Sequence, residues 1–157
     1  MLGTSPNFRL IDVVPVVLNS DAYDAGDTLF DTTAIPYAAP QAGAPTMLQS
    51  VTAIDLDDQA AAVMTLWFLD SNVAFGTADA APSITDANAI FLQGSLAIPS
   101  ASFLDVGGSK VAYVGNLGLI LKPAAGTQTV YFAATTAGTP TQTTAAGLRF
   151  RFGFRDI

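Results

Sequence analysis

Aspartate is the residue type in this sequence with the greatest capacity for chemistry. All thirteen acidic residues are aspartates, and seven of them form two clusters, which are Asp21, Asp24, Asp27 and Asp31, and Asp55, Asp57 and Asp58. Clustered carboxylates can bind calcium, and two carboxylates about 5 to 9.5 Å apart can hydrolyse glycosides. The spacing matches no EF-hand loop, and most of these aspartates stand at predicted turns and strand ends, where hydrogen bonds to the backbone explain them. We therefore predict no metal ligands and no catalytic carboxylate pair.

The residue types that the chain lacks restrict its chemistry further. It contains neither histidine nor cysteine, so Ser-His-Asp and Cys-His arrangements, ordinary zinc sites and disulfides cannot be built. The segment Gly107-Gly108-Ser109-Lys110 places glycines beside a lysine, but a phosphate loop needs Gly-Lys-Ser/Thr ahead of a helix, and here a predicted strand follows. We predict a tight turn at this segment, no bound cofactor and no enzymatic activity.

Two further features allow alternative interpretations. Trp67 lies in the nearly continuous apolar run 63–69, which is typical of a strand buried on both faces or covered by a neighbouring subunit. We expect Trp67 to be packed in the core, whereas an exposed Trp67 would indicate a platform for a sugar ring. Arg149, Arg151 and Arg155 form a basic stripe that either faces solvent or pairs with an acidic neighbour in an assembly.

The elements that position these residues are predicted to be strands. Short runs of β-branched and aromatic residues recur between Gly, Pro, Asp and Asn, the pattern of an antiparallel β protein. The last run alternates most clearly, with Leu148, Phe150, Phe152 and Phe154 on a face that should lie in the core. We predict nine strands, at 8–18, 28–35, 47–55, 62–69, 94–98, 110–114, 117–122, 127–135 and 147–154. The expected fold is a single all-β domain, 1–157, built as an antiparallel β-sandwich or jelly roll.

One or two short helices are expected beside the sheets. A helix is predicted at 86–93, because Ser83 or Thr85 can cap its start and Gly94 can end it. A second helical turn is expected at 20–25, closed by Gly26.

Turns and loops should connect the strands. The segment 56–59 is expected to form a hairpin turn between two apolar runs. Gly115-Asn116 fits either a two-residue hairpin turn or, together with Gly118, a bulge in one bent strand from 111 to 121. The segments 36–45 and 136–144 are expected to be loops and are candidates for docking to neighbouring molecules.

Charge and composition restrict the partners. A net charge of −7 with six basic residues argues against binding to a nucleic-acid backbone. Charged residues make up 12% of the chain, against about 25% in typical domains, so much of the surface must consist of small polar and apolar residues that dock readily on other proteins. The longest apolar segment, 60–69, is about half the length of a membrane-spanning helix, and the first residues lack a signal-peptide pattern. We therefore expect a soluble protein that binds neither nucleic acid nor membranes.

Three blocks carry a resemblance to a known group of proteins. They are LNSDAYDAGDTLFDTTAIP at 18–36, the block 48–94 around AVMTLWFLDSNVAFG, and GTPTQTTAAGLRFRFGFRDI at 138–157. The chain resembles small structural proteins encoded in the head-gene clusters of tailed phages, above all capsid decoration proteins. The resemblance implies a virion component without enzymatic activity that sits on the capsid surface, contacts the major capsid protein and copies of itself, and forms a homo-oligomer such as a trimer. Alternatives are a tail, neck or head-fibre component, or a carbohydrate-binding β-sandwich for host adhesion.

Overall fold

A computed structural model describes residues 7–19, 21–59 and 63–157 of the protein. Within these residues the chain forms ten strands, one short α-helix and one 3₁₀ turn. The strands are β1 (Phe8–Val13), β2 (Thr28–Ile35), β3 (Thr46–Asp55), β4 (Met64–Leu69), β5 (Leu92–Ile98), β6 (Phe103–Asp105), β7 (Lys110–Val114), β8 (Leu119–Leu121), β9 (Val130–Thr136) and β10 (Leu148–Asp156). The helix, α1, spans Asp86–Ala89, and the 3₁₀ turn spans Ser100–Ser102.

The strands form two antiparallel sheets with the order of a jelly roll. One sheet has the order β1-β10-β3-β7-β6, with β8 pairing β3 beyond the end of β7, and the other has the order β2-β9-β4-β5. Successive strands β1 and β2, β3 and β4, and β9 and β10 therefore alternate between the sheets. This order describes two interleaved Greek keys, the arrangement of jelly-roll domains. The predicted all-β sandwich or jelly-roll fold is confirmed.

Phenylalanines of both sheets meet in the core. The ring centroid of Phe132 on β9 lies 4.8 Å from that of Phe152 and 5.3 Å from that of Phe150, both on β10, in edge-to-face geometry. Phe30 on β2 adds a third edge contact to Phe132 at 5.1 Å. All four rings are fully buried, so the aromatic face predicted for the last strand does lie in the core.

Several predicted element bounds need correction. The first strand ends at Val13 rather than at residue 18, because Pro15 has no N–H for the ladder and the chain turns toward the other sheet. The helix is capped by Thr85 as predicted, but it ends at Ala89, since the chain already enters β5 at Leu92. The short strand β6 was missed.

The expected helical turn at 20–25 is wrong over its described part. Residues 21–25 are not helical, and Ala22 instead forms an isolated bridge with Thr141, while Tyr23 donates its N–H to the carbonyl of Pro140. Residue 20 lies outside the described residues. This segment is held by the loop that precedes β10.

The two predicted turns have different outcomes. The expected hairpin at 56–59 is wrong, because β3 and β4 belong to different sheets. At Gly115-Asn116 the structure selects the bent strand, since β7 and β8 pair successive parts of β3 and the chain between them bulges outward. Asn116 and Gly118 take positive φ angles of 56° and 62° in this bulge, which residues with a β-carbon adopt less readily than glycine.

Both long loops are fastened to the rest of the chain. In the loop after β2, Ala39 exchanges hydrogen bonds with the backbone and side chain of Gln128, and Gly43 donates to Thr127. The loop before β10 is bound by Asp57, as described below. Among the described residues, no helix is long and apolar enough to cross a membrane.

Candidate functional site

The outer side of the six-stranded sheet, called the open face here, presents its side chains in four rows. Residues directly opposite each other in an antiparallel ladder share one side of the sheet, so the strand register defines the rows. From one end of the sheet to the other they are Leu104-Val111-Ile54-Arg149, Tyr113-Thr52-Arg151-Asp12, Ser50-Gly153-Leu10 and Ile120-Met47-Arg155-Phe8.

Large apolar side chains of the open face are exposed to solvent. Their exposed fractions range from 56% for Ile120 to 72% for Leu10, with Phe8, Leu104 and Tyr113 between these values. Scattered exposed apolar residues are common, but five on the outer side of one sheet make this side a candidate interaction surface. The part formed by β6, β7 and β8, with Leu104, Tyr113 and Ile120, is called the apolar half.

The arginine row, Arg149, Arg151 and Arg155 on β10, occupies the other half of the open face. Arg151 binds Asp12 through two hydrogen bonds, from Nε to Oδ1 at 2.6 Å and from Nη2 to Oδ2 at 3.0 Å. These bonds lower the pKa of Asp12 and raise that of Arg151. Arg155 lies 6.0 Å from the ring centroid of Phe8. Neither Arg149 nor Arg155 forms an ion pair with any described residue.

A shallow pocket lies beside the arginine row. It has a volume of about 140 Å³ and is lined by Asp12, Val13, Val14, Ile54, Arg149, Phe150 and Arg151. At roughly 30 Å³ per water, this volume equals four to five waters. Asp12 already binds the Arg151 guanidinium, so Arg149 is the group of this pocket that can bind a further carboxylate.

Part of the outer side of the four-stranded sheet is covered by the chain's own segment 70–85. Asp31 on β2 holds this segment, because its Oδ1 accepts hydrogen bonds from the N–H groups of Phe75 at 2.7 Å and Gly76 at 3.3 Å. Thr32 adds a bond from its hydroxyl to the carbonyl of Val73.

Trp67 lies under this segment. Its ring centroid is 5.9 Å from that of the buried Phe75, and its Nε1–H donates to Thr135 Oγ1 at 3.1 Å. Trp67 is therefore half-buried on the outer side of its sheet rather than between the sheets, which corrects the expected core position. Since the segment covers it, the ring offers no open platform for a sugar.

The first predicted aspartate cluster is divided by the fold. Asp31 serves the covering segment, whereas Asp21, Asp24 and Asp27 lie near Asp79 at the start of β2. Asp21, Asp24, Asp27 and Asp79 are called the acidic corner. Desolvation and the charges of Asp27, Asp21 and Asp24 raise the pKa of Asp79. No group of three acidic side chains among the described residues has the geometry of a metal site.

The second aspartate cluster fastens the threonine-rich loop. The Asp57 carboxylate accepts hydrogen bonds from the N–H groups of Thr143 at 3.0 Å and Thr144 at 3.2 Å and from both hydroxyls. Desolvation raises the pKa of Asp57, but these bonds outweigh it, so the pKa lies below its ordinary value of 3.8. At Asp55 desolvation is dominant and the pKa is raised, despite hydrogen bonds from Asp57 and Gln59.

The segment 107–110 forms the predicted tight turn into a strand. Val106 donates its N–H to the carbonyl of Ser109, and Gly107 has a φ of 105°. The Lys110 ammonium group binds the Gln59 carbonyl at 2.7 Å and lies 3.6 Å from an Asp58 oxygen. This lysine is engaged within the chain, so the segment has no features of a phosphate site.

Sequence reasoning identified the arginine row but missed the apolar half of the open face. Leu104 lies on the three-residue strand β6, which is too short for a periodic signal. Tyr113 and Ile120 lie on predicted strands, but only the pairing of β7 and β8 with β3 shows that both point away from the core.

Comparisons with known proteins give structural similarities of low score. No family model and no curated protein matches the chain. A structure described as Desmodium yellow mottle tymovirus is 13% identical, with a TM-score of 0.32, over 99% of this chain and 83% of the other. The VP2 subviral particle of infectious bursal disease virus and particles of a VP2 mutant are each 12% identical, with TM-scores of 0.23, over 96% of this chain and 40% and 39% of the other chains. The relation to tailed-phage head proteins stays a prediction.

Proposed function

We propose that the chain is a virion structural protein without enzymatic activity, which binds the capsid exterior and reinforces contacts between major capsid subunits. The observation that carries this proposal is the open face, where large apolar side chains of one regular sheet are exposed to solvent. Burial of such a surface is the main favourable term in protein association. A protein with this face is suited to stable association with other subunits.

The size of the open face supports this function. Five strand positions about 4.8 Å apart and four rows about 6.6 Å apart give a footprint on the order of 500 Å². A standard interface buries about 800 Å² on each partner, so the open face and its flanking loops have the extent of one stable contact. Jelly rolls serve in viral capsid domains and also in lectins, and the covered Trp67 favours the capsid role.

The hydrogen bonds that three polar side chains form within the chain are consistent with a role without catalysis. Asp31 and Asp57 hold loops in place, and Lys110 binds a carbonyl of the same chain. Each has a structural function that accounts for its position. A virion role for the chain accordingly rests on its surface rather than on a catalytic centre.

Cosedimentation with capsid shells that lack the protein tests this function. We expect wild-type chain to pellet with the shells at a fixed ratio to the major capsid protein. Leu104→Ser in the apolar half should reduce the bound fraction at least tenfold. Ile90→Ser is the matched control, because Ile90 lies outside the four rows and is also largely exposed, at 77% against 68% for Leu104, and it should bind like wild type.

Three outcomes would contradict the proposal. Wild-type chain that stays in the supernatant would exclude binding to the capsid exterior. Pelleting with purified tails or necks instead would favour a location in the tail or neck. Equal binding by the Leu104→Ser and Ile90→Ser variants would exclude the apolar half as the contact. Specific retention on immobilised glycans, with no retention on shells, would favour the adhesion alternative.

A further inference from the structure

The arginine row gives the open face a charge opposite to that of the chain. It holds three of the six basic residues of a protein with a net charge of −7, and Asp12 is the only described acidic residue in the four rows. In the shallow pocket beside the row, Arg149 can donate to a carboxylate, whereas Arg151 already binds Asp12. The row therefore fits an acidic protein surface.

The chain itself carries such a surface at a different place. In the acidic corner, Asp21, Asp24 and Asp79 are exposed, and no cationic side chain among the described residues forms an ion pair with any of its four members. The mutual repulsion of these carboxylates is relieved when a positive surface approaches. Each copy thus has both parts of a complementary pair, with the row on β10 of the six-stranded sheet and the corner at the start of β2 of the four-stranded sheet.

We infer that the arginine row binds the acidic corner of a second copy of this chain, with a carboxylate of that corner bound by Arg149 in the pocket. This inference rests on the proposed function, because it names one partner of the open face. The capsid contact is then made by the apolar half together with the loops that flank it. The contact joins two different surfaces, so it is heterologous, and repetition around an axis gives a closed ring when the rotation permits.

The exposed apolar residues beside the row strengthen this contact. Val14 lines the pocket, and Phe8 and Leu10 extend the same half of the sheet. Apolar neighbours exclude water from charged hydrogen bonds, which makes each bond stronger than on an open surface. Association should still weaken with added salt, because the corner is exposed before it docks.

Sedimentation equilibrium of the purified chain tests this inference without any capsid. Wild-type chain should associate at concentrations below about 1 mM, and Arg149→Glu should weaken association at least tenfold. Lys122→Glu changes the net charge equally, and Lys122 is exposed and lies outside the four rows. This control should associate within twofold of wild type.

Mixing two defective variants tests whether the row of one copy binds the corner of another. Arg149→Glu keeps an intact acidic corner, and the double variant Asp21→Asn/Asp24→Asn keeps an intact arginine row. Each alone should stay monomeric, whereas an equimolar mixture should form a complex of two chains, because the intact row of one variant can bind the intact corner of the other. A mixture that stays monomeric would exclude a contact between row and corner.

The outcomes separate this inference from the proposed function. A monomeric wild-type chain, an Arg149→Glu variant that associates like Lys122→Glu, or a monomeric mixture would each overturn the contact between copies. Shell binding that survives these results leaves the proposed function intact. Loss of shell binding in Leu104→Ser, with unchanged association in solution, would show that the contact between copies does not depend on shell binding.

Discussion

Replacement of Gly147 by alanine tests how the loop before β10 is held. A β-carbon built at Gly147 would lie 2.2 Å from Asp57 Oδ2 and 2.4 Å from Gln142 Oε1. Both distances are far below van der Waals contact, and Gln142 is buried, with 1% exposed. The alanine would therefore expel the Asp57 carboxylate from its position against Thr143 and Thr144.

The expected cost follows from the bonds that Asp57 would lose. Hydrogen bonds to a charged group contribute about 1.5 to 3 kcal/mol each when well shielded, but this carboxylate is only partly buried and its bonds are weaker. We expect Gly147→Ala to lower the free energy of unfolding by about 2 to 3 kcal/mol. For a domain of this size, that corresponds to a decrease of about 4 to 12 °C in melting temperature.

Urea denaturation of matched variants measures this cost. Gly108→Ala is the control, since no atom of the described residues lies within 4 Å of a β-carbon there, and its stability should stay within about 0.5 kcal/mol of wild type. In an Asp57→Ala background, Gly147→Ala should cost clearly less, because the main clash is gone. Equal stability of the two glycine variants, or strict additivity with Asp57→Ala, would refute the reasoning.

Three further variants test the pH response, the covering segment and the core. The lowered pKa of Asp57 means that its ionised form stabilises the fold above pH 3.8 and that this contribution is lost as pH falls below 3.8. Asp57→Asn should therefore lower the free energy of unfolding by about 1 kcal/mol at neutral pH. In acid-unfolding curves, the stability of this variant should decline less steeply than that of wild type. Asp31→Ala should free the segment over Trp67, which red-shifted emission and faster hydrogen exchange at Phe75 would report, and unchanged emission would contradict the assigned cover. Phe132→Ala should cost about 3 to 5 kcal/mol in denaturant unfolding, and a loss below about 1 kcal/mol would show that the ring does not join the sheets.

Local sequence signals predicted the strands whose ends are marked by side-chain chemistry. The bounds of β2 and β7 match the prediction, because Asp27 and Pro36 flank the first and the glycine turn at 107–108 precedes the second. The cap of α1 at Thr85 was also correct. These features depend on neighbours in the sequence, so a pattern of a few residues is sufficient to define them.

Pairing between distant strands could not be read in the same way. The segment 56–59 contains good turn residues, but whether β4 joins the sheet of β3 depends on the partners of both strands. Those partners, β10 and β9, lie far along the chain. In a jelly roll the chain passes from one sheet to the other at such connections. The same local turn pattern is compatible with a hairpin within one sheet and with a crossing to the other sheet.

The open face shows why a face assignment needs tertiary contacts. In β1, alternation places Phe8 and Leu10 on one side and Arg9 and Ile11 on the other, and hydrophobicity alone would direct Phe8 inward. The structure has the reverse, because the Arg9 guanidinium binds the Ala38 carbonyl at 2.9 Å and the Asp156 carboxylate. With its charge satisfied at the end of the sandwich, Arg9 can share the inner side with Ile11 and Val13, and Phe8 and Leu10 are forced outward. The exposure of Phe8 and Leu10 is thus a consequence of this partly buried arginine, whose side chain is 23% exposed.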